Sequence, residues 1–131
     1  MDAYGIPPSL LHGDLHLGNV AVGESYRVFD WTDACIAHLF FDLATLLEDL
    51  SHTYDPQTAE RLRTAYLEAW QDYGPLERLR EASRVAEVVG CLHQAVSYRH
   101  IVGGLEEAAK GEFATSIPFW LRRGLELAEK L

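Results

Sequence analysis

The sequence predicts a mainly α-helical domain with a small β-hairpin close to its N-terminus, and three observations support this fold class. Two short extended segments, at 19–22 and 26–29, flank the turn-forming tripeptide GES. In the remainder of the chain, apolar residues recur at helical spacing in several successive stretches. The chain has 131 residues, a length that suits one domain with a sizeable core. We therefore expect a single domain over 1–131, in which a loop and hairpin at 1–41 precede a helical subdomain at 42–131.

The hairpin is preceded by the stretch HGDLHLGN at residues 12–19. Two histidines, one aspartate, one asparagine and two glycines fall within these eight positions. A short apolar segment at 9–12 leads into the stretch, and the hairpin begins at its last residue. Because Asp, Asn and Gly favour turns and loops, we expect the motif to lie on a loop that feeds the hairpin.

At least four helices are expected after the hairpin. The first, starting near Asp42, is indicated by apolar residues at i, i+3, i+4 and i+7, namely Leu43, Leu46, Leu47 and Leu50. The second begins at Asp55, a capping residue that precedes a proline in the first turn. It is expected to run up to Gly74, with an apolar stripe formed by Ala59, Leu62, Tyr66, Ala69, Trp70 and Tyr73.

The third predicted helix is the longest and covers roughly residues 76–101. Gly90 within it indicates close packing against a neighbouring element, and Gly103 with Gly104 ends it. A last helix is expected from about Pro118 to the C-terminus. The predicted apolar side of the third helix consists of Leu79, Val85, Val88, Val89, Leu92 and Val96.

The composition excludes several classes of partner. A formal net charge of −9 disfavours nucleic acid and anionic membranes, because both select for Lys and Arg, and it is compatible with a cationic small substrate. The N-terminus has neither the basic segment nor the apolar core of a signal peptide, and no apolar stretch approaches the length of a membrane span. Cys35 and Cys91 form no CxxC pair, which fits two reduced thiols. We expect a cytoplasmic protein with no nucleic-acid or membrane partner.

The residue types in the motif suit phosphoryl transfer. That reaction needs a carboxylate to orient the attacking hydroxyl and oxygen ligands that hold Mg²⁺ against the nucleotide phosphates. Asp14 and Asn19 have the five-residue offset of a kinase catalytic loop. Asp30 directly follows the second hairpin segment, and we expect the hairpin to return it towards Asn19.

Three motifs in order resemble the aminoglycoside phosphotransferase and choline kinase superfamily: HGDLHLGN at 12–19, FDWTDA at 29–34 and DLA at 42–44. Members of this superfamily are small-molecule kinases with a protein-kinase-like fold. The resemblance implies that the chain is the C-terminal, catalytic lobe of such a kinase. It also implies Mg²⁺ and ATP or GTP as cofactors, and transfer of the γ-phosphoryl group to a hydroxyl of a small, cationic substrate such as an aminoglycoside or an amino alcohol.

By this resemblance, Asp14 is the catalytic base or hydroxyl-orienting residue. Asn19 and Asp30 are the Mg²⁺ ligands that hold the nucleotide. His12 braces the loop by hydrogen bonds, and Asp42 supports it from the next helix. The family usually has glycines between the second and third motifs, whereas this chain has CIAH at 35–38, and the conformation there stays open.

The residues around Asp14 separate the chain from regulated protein kinases. Many of those kinases place Arg before the catalytic Asp, where it receives an activation-loop phosphate, and this chain has Gly13 there. The second motif is DWT rather than DFG. Both differences favour a small-molecule kinase.

A kinase of this type also needs a nucleotide-binding lobe N-terminal to the catalytic loop, with a phosphate-covering loop and a strand lysine. Only eleven residues precede His12, and none of them is Lys or Arg. We therefore expect this lobe to be absent from the chain, which is either a fragment or a stand-alone lobe, and we expect the isolated chain to be inactive. The surface that faces the absent lobe should be apolar and able to pair two copies into a homodimer.

Other interpretations stay open from the sequence. The chain is alternatively a non-catalytic interaction module with a kinase-like shape, or a metal-dependent hydrolase with zinc or iron at His12, Asp14 and His16. Asp42 is alternatively only the N-cap of its helix. Asp33 is either a further acid near the metal or a solvated loop carboxylate. The acidic side chains Glu106, Glu107 and Glu112 either attract a cationic substrate or form a solvated face.

Overall fold

The computed structural model describes residues 4–113 and 115–131, and within them the chain forms two small antiparallel sheets and five α-helices. The strands are β1 (Pro8–Leu11), β2 (Val20–Val22), β3 (Tyr26–Val28) and β4 (Cys35–His38). The helices are α1 (Leu43–Thr53), α2 (Pro56–Glu68), α3 (Leu76–Gly104), α4 (Glu107–Lys110) and α5 (Ser116–Ala128). The predicted mainly helical class is confirmed.

The hairpin forms where the sequence predicts it. Strands β2 and β3 pair antiparallel, with Val20 opposite Val28 and Val22 opposite Tyr26. A second pair, which the sequence does not reveal, joins β1 to β4 and places Leu11 opposite Cys35. The segment CIAH is therefore a strand. Because β1 enters the loop at 12–19 and β4 leaves the turn after the hairpin, this pairing holds both ends of the motif region together.

Helix α1 follows its predicted stripe, and α2 follows its own only in part: Ala59 is buried, but Ala69 is exposed, and Leu67, outside the predicted stripe, is fully buried. All four leucines of the α1 stripe are buried in the main core. At the start of α2, the Thr58 N–H donates to the Asp55 carboxylate at 2.7 Å, which confirms the predicted cap. Helix α2 ends at Glu68, earlier than expected, and a 3₁₀ turn over Gln71–Tyr73 follows. The i, i+3 spacing of Trp70 and Tyr73 suits either kind of helix, because residues three apart also share a face of a 3₁₀ turn.

The predicted apolar side of α3 is partly wrong. Leu92 is 49% exposed and Val96 is 54% exposed. The buried side of α3 instead carries small and polar residues, namely Ala82, Ser83, Ala86, Glu87, Gly90, Cys91, Gln94 and Ala95. Neighbouring elements approach closely around Gly90 and Cys91, which favours small residues there, whereas Leu79 near the start of the helix is buried as predicted.

Gly90 shows how close that approach is. A Cβ at Gly90 would lie 2.8 Å from the Ala44 Cβ and 2.8 Å from the Phe41 carbonyl oxygen. Helix α5 approaches the opposite flank, where a Cβ at Gly124 would lie 3.2 Å from the Cys91 Cβ. The close packing predicted for Gly90 is therefore confirmed.

The polar groups on the buried side of α3 have partners. Glu87 forms an ion pair with Arg63 of α2, and the Arg63 guanidinium also donates to Ser83 and to Glu60. Buried charges of this kind are tolerated only when they are paired and hydrogen-bonded. Gln94 reaches out of the helix to a loop, as described below.

Several large apolar side chains are exposed on the strands. Val22 and Tyr26 of the hairpin are 74% and 80% exposed, and Ile36 of β4 is 69% exposed. Within the described residues, no helix combines the length and the apolar character that crossing a membrane requires.

Candidate functional site

The loop at 12–19 is held by a carboxylate on the element that follows β4. Asp42, directly before α1, accepts hydrogen bonds from the His12 N–H at 2.8 Å and from the Gly13 N–H at 2.9 Å. Asp42 occupies the N-cap position of α1, but its side chain makes no capping hydrogen bond to that helix. The contact geometry is instead the one expected for a residue that supports the loop.

A second carboxylate on α1 does the same for the far end of the loop. Asp49 accepts a hydrogen bond from the Leu17 N–H at 2.7 Å. Asp42 and Asp49 are seven residues apart, which places them on the same side of α1. The sequence analysis missed Asp49, although two carboxylates at this spacing just after a functional motif are a signal that could have found it.

A third support comes from α3. The Gln94 side-chain amide donates to the Gly13 carbonyl oxygen at 2.7 Å, and Gln94 is buried. The sequence analysis missed this residue as well, because nothing in the local pattern of α3 distinguishes it.

His12 uses both ring nitrogens for the backbone of the site. The Asp14 N–H donates to His12 Nδ1 at 3.3 Å, so the ring proton is on Nε2, which donates to the Phe29 carbonyl oxygen at 2.7 Å. The ring centroid lies 4.9 Å from that of Trp31. His12 therefore connects the loop to the end of the hairpin.

These contacts remove His12 from any metal cluster with Asp14 and His16. In the part of the chain that the structure describes, no three His, Cys, Asp or Glu side chains are grouped so that they could hold a metal ion. The described residues therefore give no support to the alternative of a zinc or iron hydrolase.

Gly13 is required by its backbone conformation and by its surroundings. Its φ is +87°, in the left-handed region that favours glycine. A Cβ there would overlap the carbonyl group of Asp33, in the 3₁₀ turn Trp31–Asp33. The loop is thus pressed against the turn that follows the hairpin. Asp33 itself is exposed, as a solvated loop carboxylate would be.

Asp14 lies at the junction of this framework with solvent. Its side chain is partly buried, and this burial raises the pKa of the Asp14 carboxyl; the neighbouring His16 opposes the shift and the charge of Asp33 adds to it. His16 Nε2 lies 3.6 Å from an Asp14 carboxylate oxygen, while its Nδ1 accepts from the Gly18 N–H at 3.1 Å. His16 is therefore a neighbour of Asp14.

Asn19 and Asp30 lie on either side of the hairpin base. The Asn19 side-chain N–H donates to the Asp14 carbonyl oxygen at 3.0 Å, so its own amide oxygen is directed away from that bond. The Phe29 N–H donates to the Asn19 carbonyl oxygen at 3.1 Å, which brings the next residue, Asp30, to the loop as predicted. Asp30 has a φ of 61° and accepts from the Thr32 hydroxyl at 3.0 Å. A left-handed backbone is uncommon for a residue other than glycine and is found often at functional sites.

A cleft of about 440 Å³ opens beside Asp14. One part of its lining is acidic, with Asp14, Glu48 and Asp49, and another part is aromatic, with Tyr98, Phe119 and Trp120. The charge of Glu48 is offset by Arg123, whose Nε lies 2.6 Å from a Glu48 carboxylate oxygen. Glu106 and Glu107 do not line this cleft, are exposed, and Glu107 pairs with Lys110. The side chain of Glu112 lies outside the described residues.

Comparisons with known proteins match this region of the chain. A family model described as phosphotransferase enzyme family matches residues 2–79. A homoserine kinase from Neisseria meningitidis serogroup B is 28% identical over 95 residues, which cover 70% of this chain and 31% of the relative. The chain thus spans about a third of the length of the curated relative it matches. No solved structure gives a significant match.

Proposed function

Because this chain belongs to the phosphotransferase enzyme family, we propose that it is the catalytic lobe of a small-molecule kinase. The enzyme transfers the γ-phosphoryl group of ATP or GTP to a hydroxyl group of a small acceptor, and it acts in the cytoplasm, where both nucleotides are available. The observation that carries this proposal is the placement of Asp14, which borders a cleft and lies in a loop held by four side chains: His12 and Asn19 bind the Asp14 backbone, and Asp42 and Gln94 bind the backbone of the two preceding residues.

In this proposal Asp14 orients the acceptor hydroxyl and accepts its proton. The raised pKa of the Asp14 carboxyl makes it a stronger base than a fully solvated aspartate, which favours proton transfer near neutral pH. His12 keeps the Asp14 N–H engaged, and Asp42 and Asp49 hold the two ends of the loop. The loop then needs little rearrangement when substrates bind, and such positioning accounts for much of the rate of phosphoryl transfer.

Asn19 and Asp30 are the proposed Mg²⁺ ligands. One amide oxygen and one carboxylate fit this ion, which prefers oxygen and commonly takes only one or two protein ligands, with phosphates and water as the others. When bound, Mg²⁺ offsets the negative charge of the nucleotide phosphates. The bond from the Asn19 side chain to the Asp14 carbonyl links this pair directly to the catalytic loop.

We further propose that residues 1–131 form one C-terminal lobe, with the catalytic loop and hairpin at 1–41 and an acceptor-binding helical subdomain at 42–131. The contacts of Asp42, Asp49 and Gln94 with the loop support a single unit. The nucleotide-binding lobe is supplied by another polypeptide segment, and its contact surface includes the exposed apolar side chains of the strands, namely Val22, Tyr26 and Ile36. Alternatively, a second copy of the chain contacts these same side chains, and the two copies form a homodimer.

The cleft supports a small cationic acceptor. The carboxylates of Asp14 and Asp49 attract an ammonium group, and the faces of the cleft aromatics suit one as well. Aminoglycosides and amino alcohols combine ammonium and hydroxyl groups. The matching relative is named for homoserine, which also carries both groups.

The proposal is tested by assaying phosphoryl transfer from Mg·ATP and Mg·GTP to a panel of aminoglycosides, amino alcohols and homoserine. We expect the 131-residue chain alone to fall far below the ~1–100 s⁻¹ typical of kinases, and the complete enzyme with its nucleotide-binding lobe to reach that range. Asp14→Asn should abolish turnover of the complete enzyme without lowering its melting temperature. The matched control is Asp72→Asn, at an exposed position away from the cleft, which should leave turnover unchanged.

Two outcomes contradict the proposal. Retained turnover in Asp14→Asn removes Asp14 from its role. A complete protein that binds neither Mg·ATP nor Mg·GTP in equilibrium dialysis is not a kinase, and that result supports the alternative of a non-catalytic interaction module.

A further inference from the structure

We propose that Gln94 is a positioning residue for Asp14, acting through the peptide bond between Gly13 and Asp14; this inference rests on the proposed function. Gln94 lies on α3 and is only 5% exposed. Its side-chain amide donates to the Gly13 carbonyl oxygen at 2.7 Å, across 81 positions of sequence. This distance lies at the short end of the range for an N–H···O hydrogen bond.

The Gly13–Asp14 peptide group is held at both ends. Its oxygen accepts from Gln94, and its N–H, which belongs to Asp14, donates to His12 at 3.3 Å. Because the peptide is planar, hydrogen bonds at its oxygen and at its nitrogen together restrict its rotation about the flanking bonds. The direction in which the Asp14 Cα presents its side chain is therefore set by two side chains from different parts of the chain.

This restraint is needed because the preceding residue is glycine. Gly13 adopts a left-handed conformation, and glycine populates both signs of φ about equally. Without contacts, the peptide before Asp14 would sample several orientations. Asp42 restrains the nitrogen of Gly13 and Gln94 restrains its carbonyl oxygen, so the two residues act on opposite sides of the same flexible point.

Gln94 does not act on the substrate. It is absent from the lining of the cleft beside Asp14, whereas Tyr98, one helical turn further along α3, is part of that lining. The same helix thus contacts the catalytic loop from behind with Gln94 and borders the acceptor cleft with Tyr98. A displacement of reacting groups by about 1 Å costs on the order of 10²-fold in rate, so loss of the Gln94 contact should lower kcat by about 10- to 100-fold.

The test uses three substitutions. Gln94→Leu removes the donor and keeps a side chain of similar size. Gln94→Glu keeps the shape of the side chain and replaces the amide donor by an acceptor. This variant is used if Gln94→Leu folds poorly. Gln94→His restores an N–H three bonds from Cβ, as in glutamine. The control is Gln71→Leu, the same change at an exposed glutamine.

Two readouts are measured on each variant. In the complete enzyme, we expect Gln94→Leu and Gln94→Glu to lower kcat about 10- to 100-fold with little change in the nucleotide KM, and Gln94→His to recover most of the loss. In the 131-residue chain, we expect faster hydrogen exchange of the Asp14 amide in the first two variants, with the amides of α1 unchanged.

The two readouts separate this inference from the proposed function. If the parent enzyme transfers phosphate and Gln94→Leu retains its kcat, the positioning role is overturned while the kinase assignment stands. If the parent enzyme shows no phosphoryl transfer, the proposed function fails, and the exchange of the Asp14 amide still decides whether Gln94 restrains this peptide. Unchanged exchange in both donor-less variants overturns the inference.

Discussion

Replacement of Asp42 by alanine should destabilise the fold strongly. Asp42 accepts from two backbone N–H groups, at 2.8 and 2.9 Å, and both donors belong to buried residues, His12 and Gly13. A hydrogen bond to a charged group contributes about 1.5–3 kcal/mol. Because both donors remain buried without a partner, we expect Asp42→Ala to lower the free energy of unfolding by about 3–6 kcal/mol. That is a large part of the ~5–15 kcal/mol typical of a domain.

Asp42→Asn provides a graded variant in case the alanine variant does not fold. The asparagine retains one acceptor oxygen, and its NH₂ group faces the second N–H donor without bonding to it. We therefore expect the loss for Asp42→Asn to be roughly half of the loss for Asp42→Ala. Asp72→Ala, at an exposed position, is the control and should change stability by less than about 0.5 kcal/mol.

Urea denaturation followed by circular dichroism measures these differences. With an m-value of about 2 kcal/mol per M, a loss of 3–6 kcal/mol lowers the transition midpoint by about 1.5–3 M. If the urea midpoint of Asp42→Ala lies less than about 0.5 M below that of the parent, the reasoning is refuted. Such a result would mean that water or another group replaces the carboxylate at both N–H donors, so that the loop does not depend on Asp42 for its position.

Three further outcomes are expected from the packing and protonation of the fold. Gly90→Ala should destabilise the fold by about 1–3 kcal/mol, because its new Cβ lies 2.8 Å from the Ala44 Cβ. Gly103→Ala, in open space on the same helix, should be neutral or should stabilise the fold by up to about 1 kcal/mol. A lower melting temperature for both variants would contradict this contrast. Burial lowers the pKa of His38, so the folded state binds its proton less readily than the unfolded state. Stability from this residue is present above pH ~6.5 and is lost as the pH falls towards the lowered pKa; urea midpoints at pH 7.5 and 5 should differ less in His38→Asn than in the parent. Burial raises the pKa of the Cys91 thiol to about 11, so a thiol reagent at pH 8 should modify Cys91 only after unfolding, and rapid modification of both cysteines in the folded chain would be the opposing result.

The parts of the fold that depend on local patterns were predictable from the sequence. The leucine spacing of α1 and the cap at Asp55 placed two helices, and the GES turn placed the hairpin. The pairing of β1 with β4 was not predictable, because the two strands are far apart in sequence and each is only four residues long. The buried side of α3 was predicted only in part: Leu79 is buried, but around Gly90 the packing distance to neighbouring elements, and not apolar periodicity, selected small residues.

The residues of the candidate site likewise divide into those that a local pattern predicts and those that it does not. Side chains that carry a recognisable motif, such as Asp14 and Asn19, were found by their type and spacing. Asp49 and Gln94 were not, because they bind backbone N–H and C=O groups of the loop and leave no trace in the motif itself. A side chain that binds a backbone group needs no particular residues beside it in the sequence.

The contact between Gln94 and Gly13 has a consequence for how the protein is made. Ribosomes release the catalytic loop early, yet its last support is encoded 81 positions later. At about 5–20 residues per second, synthesis of that intervening stretch takes about 4–16 s. Long-range contacts of this kind form late, because closing the intervening chain costs entropy before the contact contributes any stability. A nascent or prematurely terminated chain that lacks α3 therefore carries every residue of the motif but lacks the Gln94 side chain that holds the Gly13 carbonyl group.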